Sequence, residues 1–251
     1  MIRSITDGFL FCFSYFTVIP TFKKEYQLNN TTYSAMLFFL PFIGAILAVL
    51  TLYFAFFLNS LFAPLYAIFV AGVTYLLLYG FLHLEAVADV SDAWMAKYSN
   101  KDVYAIMKEP QVGSIGAIAT FSFVLLKLAA IVYLLLDEKF FLFVAALMLS
   151  RLTVLSNLKI FEFHEGSIFA QTLKKSATMF VVGLAIVCYG AVLIYLIDVK
   201  NSLILLVSAL IFSMIVLRIL KKQFGFLNGD CIGFSIETTE LLLLNIAIVV
   251  V

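Results

Sequence analysis

The sequence predicts an all-α fold, a polytopic integral membrane bundle of about seven transmembrane helices. Three observations predict it. Apolar side chains make up 64% of the 251 residues and charged ones 12%, too few to clothe a water-soluble domain of this length. Seven stretches stay apolar for the roughly 20 residues needed to cross a hydrocarbon core about 30 Å thick. The positive residues are also sorted unevenly between the two sets of connections. The same composition excludes disorder, and a net charge of +1 gives no basic field for nucleic acid. Cys12, Cys188 and Cys231 form no CxxC pair and read as small apolar fillers.

Taken in order, the run from Gly8 to Pro20 is too short to span and reads as an interfacial or re-entrant segment. It lacks a polar-then-small cleavage pattern, so it is not read as a signal peptide. Spans follow at 33–58, 61–81, 115–136, 139–157, 178–197, 202–220 and 231–251, with Pro41 a point where the first can bend. Counting connections alternately, thirteen Lys and Arg, Lys24 and Lys101 among them, fall on one side. Only Lys139 and Lys200 fall on the other, and Lys127 lies inside a span. The positive-inside rule puts the first side in the cytoplasm. The long connections 82–114 and 158–177 and the short polar one at 223–230 lie there, so the chemistry is expected to face the cytosol. No internal repeat or linker divides the chain, which reads as one domain over 1–251.

Six of the 15 carboxylates sit in two clusters. In the first, HLEAVADVSD from His83 to Asp92, a helix turning about 100° per residue places Glu85, Asp89 and Asp92 at roughly 0°, 40° and −20°. Three like charges on one face repel unless a cation lies between them, and hard oxygen ligands suit Mg²⁺ bridged to substrate phosphates. The competing reading is a solvated acidic turn at a helix start. The cluster follows directly on an apolar span, which favours the metal. His83 points away from that face, toward a supporting or substrate-contacting role.

The second cluster, NGDCIGFSIETTE from Asn228 to Glu240, puts Asp230, Gly233, Glu237 and Glu240 on one helix face. At about 1.5 Å per residue Glu237 and Glu240 lie roughly 10–15 Å below the helix start, so they need partners, and Lys127 and Arg151 are the candidates. For these two cations, structural pairing and phosphate binding are equally open readings. Between the clusters, IMKEPQVGSIGAIA from Ile106 to Ala119 offers Lys108 and the amides around Gly113 and Gly116 as a phosphate cradle, or an ordinary loop-to-helix junction. His164 has no second ligand at a metal spacing and reads as a surface residue. No GxSxG, Walker A or GxGxxG pattern occurs.

These residues resemble a known family. GFLHLEAVADVSDAW at 80–94 is similar to the GGLHLDGLADTADGL signature of the cobalamin synthases, the adenosylcobinamide-GDP ribazoletransferases. FTVIP at 16–20 resembles the family's FLTRIP, LPFIGAILAVL at 40–50 its P-x-x-G span, and IMKEPQVGSIGAIA its IMKDSRIGTFGA. The Ser150-Arg151 pair and NGDCIGFSIETTE resemble its SR pair and its TGDxxGAxxExxE. The chain departs from the pattern at Glu85, Ala86, Ala93 and Val18, and the 158–177 loop lacks the family's Pro-Tyr-Ala-Arg.

The resemblance implies a Mg²⁺-dependent transferase of the cell (inner) membrane. It would join adenosylcobinamide-GDP to α-ribazole or its 5′-phosphate with release of GMP. Glu85, Asp89 and Asp92 would hold the metal. Asp230, Glu237 or Glu240 would accept the hydroxyl proton or hold a second metal, so Asp89, Asp92, Asp230 and Glu237 are the expected catalytic residues. His83, Lys108, Gly113, Gly116, Arg151, Gly229 and Glu240 are expected to contact substrate. The sequence sets no subunit number, so a homo-oligomer stays open. The nearest rival is a CDP-alcohol phosphatidyltransferase, for which Asp89 and Asp92 give the opening DxxD but the later Gly, Ala-Arg and Asp pair do not follow. A cation-coupled transporter would show inverted repeats, and none is visible.

Overall fold

The computed structural model describes residues 2–23, 25–99 and 102–249, so Lys24 and Lys101 of the positive side lie outside the described residues. Among the described residues the chain forms eleven helices and no strand. They are α1 (Ile2–Phe16), α2 (Asn30–Asn59), α3 (Pro64–Leu78), α4 (Leu82–Tyr98), α5 (Val103–Ile106), α6 (Ser114–Leu136), α7 (Phe140–Ile160), α8 (Ile168–Ser176), α9 (Met179–Leu196), α10 (Val199–Phe224) and α11 (Gly229–Val249). Six of them, α2, α6, α7, α9, α10 and α11, are each long and apolar enough to cross a membrane. The seventh expected span is α3, which is shorter and bends by 78° into α4. The chain is a multi-pass membrane protein.

Local chemistry sets the boundaries. The Asn29 side chain accepts the Thr32 amide at the start of α2, Thr178 caps α9 through the Val181 amide, and Asp198 caps α10 through the Asn201 amide. Pro64 opens α3, where its missing N–H costs nothing. Pro41 lies inside α2 without ending it. The α3–α4 corner needs two successive left-handed residues, Gly80 at φ 71° and Phe81 at φ 57°. Gly225, at φ 84°, closes α10.

The connections meet in two sets. At one end the His164 amide donates to the Leu227 carbonyl, Ser34 Oγ to the Ser176 carbonyl, and the Val18 amide to the Leu78 carbonyl. At the other, Lys139 of the α6–α7 turn donates to the Ile248 carbonyl near the end of α11. Helix α4 lies across the first, loop-rich end and outside the spans: Asp92 reaches the start of α6, and Trp94 packs edge-on against Phe224 at the end of α10.

Helix α7 is the centre of the bundle, buried along most of its length, whereas α9 and α10 keep most of theirs exposed. Outward-facing Phe121, Leu125, Phe180, Val187, Tyr195 and Ile211 form an apolar exterior that water would penalise and lipid accepts. Helices approach closely where glycine permits. A Cβ on Gly44 would lie 2.4 Å from the Leu147 carbonyl oxygen, and one on Gly233 would lie 2.8 Å from Ala86 Cβ.

The run at Gly8–Pro20 belongs to α1, a 15-residue helix laid against α2. Asp7 on α1 is paired with Lys23 and accepts the Gln27 amide at 3.1 Å, and these two contacts hold its carboxyl below the usual range. Two further short helices, α5 and α8, lie within the polar connections 82–114 and 158–177.

Candidate active site

The carboxylates separate into two groups with different chemistry. At the loop-rich end, Asp89 and Asp92 on α4 and Asp230 on α11 are half-buried, and Glu85 is exposed. Burial first, then the charges of Asp230, Glu85 and Asp92, push the Asp89 carboxyl up to about 7, against a partial pull from Lys108. Asp230 is oriented from two sides. Asn228 donates to its Oδ2 at 2.6 Å, and Lys108 Nζ lies 3.9 Å from the same oxygen. The Asn228 side-chain oxygen, Oδ1, accepts the Cys231 amide at 3.0 Å, so one side chain both caps α11 and aims Asp230.

The expected three-carboxylate ligand set does not form. Among the described residues no three acidic, His or Cys side chains converge as metal ligands. The reason lies in Asp92, whose two oxygens accept the Gly113 amide at 2.7 Å and the Gly116 amide at 2.8 Å. It serves as a side-chain cap for α6, and it fills the cradle expected to hold phosphate. A Cβ on Gly116 would lie 2.3 Å from an Asp92 oxygen, which explains the glycine there. Glu85 turns into a different groove, shared with Phe81, Ala88 and Val112. The carboxylate that remains, Asp89, with the negative charge of Asp230 near enough to raise it, suits a hard divalent cation held by one or two carboxylates and completed by substrate phosphate and water. The excess negative charge around Asp89 is the observation that favours such an ion. Replacing Asp92 with Asn should lower stability by about 1–2 kcal/mol through the lost second acceptor and charge at the α6 start, read as a detergent melting temperature. An unchanged melting temperature would contradict the capping role.

The second group lies inside the bundle. Glu237 and Glu240 on α11, Lys127 on α6 and Arg151 on α7 are at most 1% exposed. Lys127 is paired with Glu237 and lies 2.9 Å from Glu240 Oε1. Arg151 donates to Glu240 Oε2 at 2.6 Å and to its own helix at the Leu147 carbonyl, and Tyr75 Oη on α3 donates to Glu240 Oε1 at 2.6 Å. Two cations and two carboxylates cancel, and four helices are tied together. Lys127 and Arg151 were both the expected partners. Glu237, Glu240 and Arg151 are therefore buried side chains paired within the bundle, apart from the half-buried carboxylates of α4 and Asp230. Tyr75 was missed, although a phenol inside an apolar span needs a polar partner and was the available signal.

Between the two groups stands His83, 6% exposed and carried on the second residue of α4. Its Nδ1 lies 3.8 Å from Glu237 Oε1, and neither atom has a hydrogen-bond partner among the described residues. The opposite edge of the imidazole borders Gly233 and an apolar cavity whose lining also includes Gly229 and Asp230. His164 is half-buried, with its ring 4.3 Å from that of Tyr104.

The stretches that resemble the cobalamin synthases thus meet at one end of the bundle: 80–94 in α4, 106–119 leading into α6, and 228–240 in α11. The sequence pattern of the family described as cobalamin-5-phosphate synthase matches residues 8–248. The chain belongs to the cobalamin-5-phosphate synthase family. Among relatives in that family, a protein of Treponema denticola named adenosylcobinamide-GDP ribazoletransferase is 27% identical over 95% of this chain and 96% of its own. The same name belongs to relatives from Clostridium perfringens, 29% identical over 93% and 95%, and Acinetobacter baumannii, 26% identical over 94% of each. No solved structure matches the chain.

Proposed function

We propose that the chain is an adenosylcobinamide-GDP ribazoletransferase: it transfers adenosylcobinamide phosphate to α-ribazole or its 5′-phosphate and releases GMP. Membership of the family over nearly the whole chain carries this reading, and the acid pair Asp89–Asp230 beside Lys108 supplies a place for the chemistry. In the transfer, a ribose hydroxyl oxygen of the acceptor forms the new bond to the cobinamide-linked phosphorus. The bond from that phosphorus to the bridging oxygen breaks, and its electrons leave with GMP.

The work of the protein is positioning and charge balance. Asp230, held by Asn228, is placed to accept the hydroxyl proton, and Lys108 beside it offers positive charge to the phosphates. Mg²⁺, when bound, would neutralise the pyrophosphate and the departing GMP, and Asp89 with neighbouring carboxylate oxygens would hold it. The buried network of Lys127, Arg151, Glu237 and Glu240 acts as scaffold. Reconstituted protein given both substrates and Mg²⁺ should release one GMP per joined product, and no release from folded protein would contradict the assignment.

The reading carries a sidedness with it: nucleotide-activated substrates are cytosolic and the positive residues gather at the loop-rich end, so that end would face the cytoplasm. In a background without Cys12, Cys188 and Cys231, a cysteine at Lys175 should react with an impermeant thiol reagent only after cells are opened. A cysteine at Lys200, on the opposite connection, should react in intact cells. The reverse pattern would overturn the topology.

A further inference from the structure

The cavity beside His83 is not explained by the phosphate chemistry. It lies between α1, α2, α4, α7, α8 and α11 and has a volume of about 140 Å³, close to that of apolar cavities that take up a single aromatic ring. Its walls are apolar and partly aromatic. The Tyr15 and Phe169 rings stand 5.1 Å apart and inclined by 33°, Tyr15 is edge-on to Phe16 at 5.0 Å, and Phe16 is 5.5 Å from the His83 imidazole. Met36 and Leu40 of α2 complete the deep side. Polar chemistry is confined to the end facing α4 and α11, where the nine-tenths-buried His83 and the mouth residue Asp230 lie. Through Asp230 the cavity thus adjoins the side chain proposed to accept the hydroxyl proton.

Resting on the ribazoletransferase reading, we propose that this cavity is the acceptor subsite. It takes the planar, methylated benzimidazole of α-ribazole against the Tyr15, Phe16 and Phe169 rings and leaves the ribose toward His83 and Asp230. The guanine of the other substrate would bring several donors and acceptors into walls that cannot match them, at a heavy desolvation cost. A benzimidazole brings two fused apolar rings that gain from aromatic packing. The corrin ring is far larger than the enclosed volume. A lipid chain would fill the walls but offer nothing polar to the edge of the His83 ring that borders the cavity, whereas a ribose hydroxyl can hydrogen-bond there. His83 is then a residue that touches substrate, with Glu237 behind it as a positioning residue.

The test uses the full chain in lipid nanodiscs. Phe169→Ala removes one wall, and Ala170→Leu, from a 1%-exposed position on α8, pushes side-chain volume into the space. Each should raise the KM for α-ribazole tenfold or more while the KM for adenosylcobinamide-GDP stays within twofold. In Phe169→Trp, titration with α-ribazole alone should give a saturable change in fluorescence beyond that of Trp94. That readout needs no turnover, so it decides the cavity assignment even if the wild-type protein released no GMP, a result that would count against the ribazoletransferase reading instead. Unchanged acceptor KM in both wall variants, a rise confined to the donor KM, or an acyl chain that remains in the cavity at saturating α-ribazole would overturn the proposal.

Discussion

Glu240→Leu is expected to destabilise the bundle by about 3–5 kcal/mol, because it leaves the Arg151 guanidinium buried beside Lys127 with only Glu237 to balance two positive charges. Arginine has no accessible neutral form to retreat to. The double variant Arg151→Met with Glu240→Leu removes both charges together and should recover most of the loss, since an apolar pair of similar volume is often as stable as a buried ion pair. Chemical or thermal unfolding in detergent measures both. Because this network is scaffold, the double variant should also retain the rate of GMP release within a few-fold at a temperature where it is folded. A double variant as unstable as the single would contradict the pairing, and a folded but inactive one would return Arg151 and Glu240 to the reaction.

Asp89→Asn is expected to act oppositely on the two readouts. Loss of the charge should reduce GMP release by roughly a hundredfold or more, the scale of an electrostatic contact in a water-poor site. The melting temperature of the metal-free protein should hold or rise at pH 8. There the ionised Asp89 is crowded by Asp230, Glu85 and Asp92, and the raised carboxyl makes folding less favourable as pH climbs from about 4 through about 7. The sign follows because the folded state binds the extra proton across that window. The same variant should therefore flatten this part of the stability profile. Near-normal turnover in Asp89→Asn would remove the acid pair from the mechanism.

The bundle was legible because lipid imposes a long apolar period that single residues cannot disguise. The starts of α6 and α9 fell within one residue of the expected spans. Shorter elements were not legible. Helix α8 has nine residues in a polar connection, and α4 was foreseen only as a helical face whose bend from α3 depends on the left-handed Phe81. The pairing of Glu237 and Glu240 with Lys127 and Arg151 was readable from depth alone, since unpaired charges at that depth are too costly. The three-carboxylate metal set was not, because helical angle places side chains on a face but says nothing of a competing partner. For Asp92 that partner was the pair of open amides at the start of α6, 21 and 24 residues away. The cavity likewise draws on residues from α1 to α11, and no local pattern announces it.

On the proposed mechanism the loop-rich edge around Asp89, not the buried network, holds the divalent cation on the donor pyrophosphate. Mn²⁺ binding followed by electron paramagnetic resonance in the presence of adenosylcobinamide-GDP tests it most directly. One Mn²⁺ per chain should bind at pH 8, more weakly at pH 6, where the Asp89 carboxyl, pushed up to about 7, takes up a proton, and at least tenfold more weakly in Asp89→Asn. The Arg151→Met, Glu240→Leu double variant should keep near-normal Mn²⁺ affinity. Unaltered Mn²⁺ binding in Asp89→Asn, or its loss in the double variant while the bundle is still folded, would contradict the mechanism.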